Sequence, residues 1–262
     1  MKRIDAHCHI YPDAIAPRAV AGIGAFYDLP LVYRGTLSDL VAVQDKAGIS
    51  GGVIFSVATT PHQVGSINRF IAGCANESGG RFVGLGTVHP DSETLEEDIE
   101  GIIALGLRGV KMHPDFQKFR LDDPKCLKIF ALCEGRLPVL VHTGDHRYDY
   151  SNPGRLAPIL PRFPDLTVIG AHFGGWSVWE DAEELLVGYP NFYVDTSSSL
   201  YAMTAERATR LLRRFGTDHV LFATDYPMWD LETEISRFEA LSLTEEERAC
   251  VYHRNAERLF GL

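Results

Sequence analysis

The sequence predicts an α/β protein built as a (β/α)8 TIM barrel, and three observations predict it. Eight short apolar runs rich in β-branched residues recur along 262 residues. Helix-like stretches lie between most of them, and the length matches the roughly 250 residues of one such barrel. The runs are near-continuous rather than alternating, which marks strands covered on both faces, as in a parallel sheet.

The runs fall at residues 3–9, 52–58, 82–89, 108–113, 138–144, 166–173, 192–197 and 219–225. Helices are predicted over 36–47, 92–105, 122–134, 177–187, 204–215 and 231–241, with a last one from 244 to near 260. Thr36 is a cap residue and Gly48 a stop for the first of these. Glu93, Glu96, Glu97 and Asp98 sit in the early turns of the second, where the helix dipole favours acids. Pro124 opens the third, and Thr244 with Glu247 forms a capping box for the last. No linker or low-complexity segment interrupts the pattern, so one domain over 1–262 is expected.

A hydrophobic content of 45% allows a large core. No apolar run approaches the ~18 residues of a membrane span, and the N-terminus has no signal-peptide core. A cytoplasmic protein with no membrane partner is therefore expected. The net charge of −10 argues against nucleic acid as a partner. It leaves room for a small-molecule substrate, an anionic one being held by local Arg or Lys. Five scattered cysteines without a C-x-x-C pair read as reduced thiols.

The chemistry begins at Ile4-Asp5-Ala6-His7-Cys8-His9. On a regular strand alternate side chains share a face, so Asp5, His7 and His9 are expected on one side and Cys8 on the other. Two imidazoles so placed can bind one metal ion, with donors suited to zinc and its neighbours. Later runs end in His142, His172 and Asp225. A barrel would collect these ends at its C-terminal rim, where catalytic groups gather. Gly144 and Gly174, each within two residues of its histidine, let the loops turn sharply. The segment from His9 to Thr36 is far longer than such loops usually are. It carries Tyr11, Phe26, Tyr27 and Tyr33, and reads either as a lid over the rim or as an insertion on the flank.

The stretches Asp-Ala-His-Cys-His, Val-His-Thr-Gly, Ala-His-Phe-Gly-Gly and Ala-Thr-Asp-Tyr-Pro stand where the amidohydrolase superfamily carries its signature residues. With Gly109-Val-Lys-Met-His-Pro114 and Asn255-Ala-Glu-Arg-Leu-Phe260, the chain resembles the amidohydrolase-related branch that includes aminocarboxymuconate-semialdehyde decarboxylase. The resemblance covers nearly the whole chain. It implies that His7, His9, His142 and Asp225 hold one divalent ion, zinc first and manganese as an alternative. It also implies that His172 contacts the metal-bound water or the substrate, and it allows a homodimer.

Asp225 and His172 are then the expected catalytic pair, and Asp5 orients a neighbour. Lys111 reads either as a carbamate bridging two ions or as a substrate-carboxylate ligand. His113, Arg147, Trp176 and Tyr226 are further candidate substrate contacts, Arg147 because a guanidinium binds carboxylate bidentately. The activity expected first is hydrolysis of an amide, ester or lactone of a small carboxylated substrate. Non-oxidative decarboxylation of an aromatic or enol acid is the alternative. A TatD-type nuclease fits less well, because Lys111 stands where that family has a glutamate ligand. A non-catalytic metal-binding barrel fits less well too, because a His and Asp set at a loop-lined rim differs from a closed structural site.

Overall fold

Residues 1–262 are described by a computed structural model. The apolar runs become β1 (Ile4–His9), β2 (Gly51–Phe55), β3 (Phe82–Gly84), β4 (Gly86–Thr87), β5 (Val110–Met112), β6 (Val139–Val141), β7 (Val168–Gly170), β8 (Phe192–Asp195) and β9 (Val220–Leu221). Paired strands are all parallel. β3 and β4 share one barrel position and part at Leu85, whose N–H still donates to the Ile54 carbonyl at 3.0 Å. Ala6 N–H donates to Phe222 O at 2.9 Å and His9 N–H to Tyr226 O at 2.8 Å. The last strand thus meets the first, and a TIM barrel closes without a free sheet edge.

Two apolar cores follow from the two faces of this sheet. The inner one stacks Ile4, Ala6, Val53, Phe55, Leu140, Ile169, Leu221 and Ala223, and Ala256 and Phe260 plug its lower end. The larger outer core lies between the sheet and the surrounding helices. β1 departs from regular alternation, since its register against β2 shifts between Asp5 and Cys8. Ile4 and Ala6 belong to the inner core, and beyond the bulge His7 and His9 face inward instead. An inserted residue flips the phase of a strand. Asp5 therefore leaves the histidine face that regular alternation assigned to it.

The helices are α1 (Ala16–Tyr27), α2 (Leu37–Ala47), α3 (Val64–Glu77), α4 (Leu95–Ala104), α5 (Pro114–Gln117), α6 (Pro124–Cys133), α7 (Pro153–Leu156), α8 (Trp179–Leu185), α9 (Ala205–Phe215), α10 (Leu231–Glu239), α11 (Glu245–Ala249) and α12 (Asn255–Phe260). Thr36 caps α2 through Asp39 N–H, and Thr244 with Glu247 forms the expected box on α11. Four helices fall outside the sequence pattern: the one-turn α5 and α7, and the longer α1 and α3. α1 lies in the long segment after β1, where two glycines and the near absence of charge mask a helical pattern. α3 starts without its own side-chain cap, but a box of Thr60 and Gln63 one turn earlier marks its entry. No helix is long and apolar enough to cross a membrane.

Glu234 of α10 is fully buried, pairs with Arg237, and leaves Oε2 without a donor. Burial pushes its pKa up to about 7. A carboxyl that holds its proton more tightly folded than unfolded is neutral and harmless at low pH, and it costs stability as pH rises through its folded pKa. Stability is therefore expected to decline between about pH 4.5 and about pH 7. Glu234→Gln should flatten that decline by one proton's worth, read from urea midpoints at about pH 5 and about pH 8. Identical pH slopes in both proteins would refute this.

Candidate metal centre

Strand ends bring together the residues that the chain keeps far apart. His7 and His9 of β1 and Asp225 after β9 place three potential ligand atoms within 4.8 Å of one another. His7 Nε2 lies 3.2 Å from His9 Nε2 and 3.4 Å from Asp225 Oδ1, and His9 Nε2 lies 3.7 Å from that oxygen. A tetrahedron with bonds of about 2.05 Å has edges of about 3.3 Å, so these spacings suit one ion of zinc-like size. The cavity around them is only about 20 Å³, room for little more than one water molecule. Lys111, His113, His142 and His172 line it, with Ile23, Tyr27, Leu31, Phe116 and Met228 as further wall.

The positions of the protons support a cation here. Asp195 Oδ2 accepts from His7 Nδ1 at 2.8 Å, so the Nε2 of a neutral His7 carries its lone pair into the pocket. His172 Nδ1 lies 3.0 Å from the Ser197 carbonyl, and His142 Nε2 lies 2.9 Å from that of Gly144. Carbonyls only accept, so those nitrogens hold the protons. His142 Nδ1 and His172 Nε2 then face each other bare at 3.0 Å. Burial pulls the pKa of His7, His9 and His142 well below the usual histidine value, and that of His172 to about 4. Neutral imidazoles with inward lone pairs are the form that binds metal.

Several supports were not visible in the sequence. Asp195, to which the sequence assigned no role, orients His7 through Oδ2, while Oδ1 accepts from His172 N–H at 2.9 Å and from the Ser197 hydroxyl. Ser198 donates to Asp225 Oδ2 and accepts from Trp229 Nε1 at 2.7 Å, leaving Oδ1 toward the histidines. The one available signal was that Asp195 closes an apolar run, as Asp225 does. His172, Phe173, Ser198 and Asp225 all have φ between 44° and 62°. Non-glycine residues in the left-handed region cluster at functional sites, where surrounding contacts hold them. Gly144 has φ +85° and its Cα faces Gly175 and Trp176 backbone, where a Cβ would come within 2.6 Å. That close crossing of two rim loops requires glycine.

The remaining expected residues divide. Lys111 is fully buried with Nζ 3.4 Å from His7 Nε2 and 5.0 Å from the Phe55 ring centre, and it forms no ion pair. Burial pulls its pKa well below the usual lysine value. His113 caps α5 and stacks on His142 at 4.0 Å. His142 lines the same pocket, but its nitrogens are not within the triad; they group with His113 and Asp115. Trp176 lines a small adjoining cavity with Tyr27 and Asp225.

Two expected contacts are corrected. The Tyr226 ring is buried on the outer side, its hydroxyl donating to Asp39 or to Thr36 O, because an outward position follows an inward Asp225. Arg147 is absent from the pocket wall; Nε and Nη2 donate to Asp145 at 3.0 and 2.8 Å, which uses up its fork. Asp5 accepts from Thr224 N–H at 2.9 Å and from His7 N–H at 3.2 Å, so it holds strand ends rather than the pocket.

A family model described as amidohydrolase matches residues 4–262. The chain belongs to the amidohydrolase family. Within this family it is 28% identical over 123 residues to gamma-resorcylate decarboxylase of Polaromonas sp. (strain JS666 / ATCC BAA-500), 40% of this chain and 37% of that protein. The match thus spans little more than a third of that relative's length. An uncharacterized TIM-barrel protein of Bordetella bronchiseptica shares 23% identity and superposes with a TM-score of 0.83, over 100% of this chain and 99% of that one. A dihydroxybenzoic acid decarboxylase of Polaromonas sp. JS666, with bound manganese and the inhibitor 2-nitroresorcinol, superposes at 0.74 with 17% identity, over 100% and 97%. At these identities the two structures share the fold with this amidohydrolase.

If Asp195 holds His7 for a metal, Asp195→Ala should weaken manganese binding about 10- to 100-fold while the barrel stays folded. His7→Ala should abolish it. Titration calorimetry with circular dichroism as the folding control checks both, and wild-type affinity in Asp195→Ala would show that His7 needs no such support.

Proposed function

We propose that this amidohydrolase is a divalent-metal-dependent carboxy-lyase, removing CO2 without an oxidant from a small hydroxylated aromatic or enol acid. The observation that carries it is the His7, His9 and Asp225 triad beside a small, mostly apolar pocket with Lys111 as its sole cationic side chain. The names of the curated relatives point the same way. This reverses the order expected from the sequence, where hydrolysis came first; hydrolysis rests on the family alone.

His7, His9 and Asp225 would hold the ion, with His142 and His172 on the pocket wall beside them. When bound, a divalent ion supplies a Lewis acid that neutralises and orients substrate oxygens. The ligand set suits manganese as well as zinc. Lys111 faces the pocket without a carboxylate partner, so it can hold an anionic substrate oxygen. The aromatic and aliphatic wall of Phe116, Ile23, Leu31 and Met228 excludes water around the scissile bond. There a carboxylate is poorly solvated, and neutral CO2 is not penalised. The C–C bond to the carboxylate breaks, its electron pair stays on the ring or vinyl carbon, and that carbon takes a proton originating from solvent. His172, neutral with Nε2 free of its proton, and Asp225, whose carboxyl burial holds above the usual carboxylate range, are the groups that move it.

The test is incubation of manganese-loaded and zinc-loaded protein with 2,6-dihydroxybenzoate and related hydroxybenzoates, following CO2 release. Turnover that needs metal is expected. Lys111→Met should lower kcat/KM about 10- to 100-fold, the worth of one charge-assisted contact. Metal-dependent turnover of lactones or amides with no CO2 from any acid would restore the hydrolase reading.

A further inference from the structure

The pocket has a cover from outside the barrel. Ile23 and Tyr27 of α1, with Leu31 just beyond it, lie against the triad pocket, so substrate cannot reach it while α1 is seated. α1 itself is held loosely. Of its twelve residues Ala16 alone is buried, and Gly22 and Gly24 lower its intrinsic stability. The segment is pinned at both ends: Tyr11 N–H donates to Gly35 O at 2.8 Å, and Val32 and Tyr33 N–H donate to Pro227 O at 3.2 and 3.1 Å. Between those pins two polar ties join it to the barrel. Arg147 Nη1 donates to Phe26 O at 2.7 Å, and the Tyr27 hydroxyl lies 3.0 Å from His113 Nε2.

The barrel half of the first tie is rigid. Asp145, fully buried, holds Arg147 through its backbone N–H, Nε and Nη2. The guanidinium carbon then lies 4.9 Å from the Phe26 ring centre and 5.3 Å from that of Tyr27, both within cation–π range. The second tie has a defined polarity. His113 Nδ1 accepts from Phe116 N–H at 3.4 Å, so in the neutral ring Nε2 carries the proton and donates to the Tyr27 oxygen. The hydroxyl proton of Tyr27 is left free on the pocket side. Phe26 also packs on Phe116 at 4.6 Å and Tyr27 on Trp176 at 5.2 Å, so opening the segment costs these ring contacts and the two ties.

We propose that α1 is a lid latched by Arg147, and that its closure delivers the Tyr27 hydroxyl to the pocket as a hydrogen-bond donor for a substrate oxygen. The lid stands on geometry alone; the choice of ligand below rests on the carboxy-lyase reading. Amide hydrogen exchange on the full chain tests the latch. Arg147→Ala should raise exchange across 16–27 about tenfold or more, with β5 to β7 unchanged as the folding control, and Arg147→Lys should fall between. Unchanged exchange in 16–27 overturns the latch. Equilibrium binding of 2,6-dihydroxybenzoate to manganese-loaded protein tests Tyr27: Tyr27→Phe keeps the ring and should bind about tenfold more weakly. Equal affinity overturns the substrate contact. Failure of wild type to bind that acid counts against the carboxy-lyase reading, and the exchange experiment still decides the lid.

Discussion

The 2.8 Å hydrogen bond between His7 and Asp195 is the constraint on which the site depends. It ties β1 to β8, the seventh of the eight barrel positions, and decides which nitrogen of His7 bears the proton. Asp195 also receives the backbone N–H of His172. One carboxylate therefore fixes the His7 ring and the His172 backbone, while the Ser197 carbonyl takes the His172 Nδ1 proton, and both rings turn their lone pairs inward. Such a bond forms only once β9 closes the barrel between β8 and β1, so closure and chemistry are one requirement.

Charge follows the same logic. The interior holds Lys111, Asp195, Asp225 and five buried or nearly buried histidines with very little water access. Burial favours the neutral form of each imidazole, and it also weakens the ammonium of Lys111. A cation between His7 Nε2, His9 Nε2 and the Asp225 carboxylate would relieve the repulsion between these closely spaced lone pairs. The left-handed backbone at His172, Ser198 and Asp225 shows where local conformational energy is spent to aim these groups.

The outer wall is organised differently. The barrel rim is tightly packed where Gly144 lets its loop cross the backbone of Gly175 and Trp176. α1 lies above it on a long tether, held by one buried carboxylate acting through Arg147. Asp145 belongs to the loop that begins at His142, so the latch and the pocket wall share a support.

Periodicity alone was enough for the eight strand positions, most of the helices and the candidate ligands at strand ends, because local apolar runs and caps act within a few residues. His7, His9, His142, His172 and Asp225 were legible since each ends such a run. The role of Asp195 was not, although it ends a run too, because its partner lies 188 residues away. Nor could local pattern show the β1 bulge that takes Asp5 off the histidine face, since a bulge is defined by the neighbouring strand's register. Arg147 and Tyr226 have the chemistry of substrate ligands; Arg147 turns back to Asp145 two residues before it, and tertiary structure turns Tyr226 to Asp39, 187 residues away. Residue type and spacing determined what chemistry this chain can hold. Long-range packing decided which way each side chain points, because direction depends on contacts between segments that sequence order keeps apart.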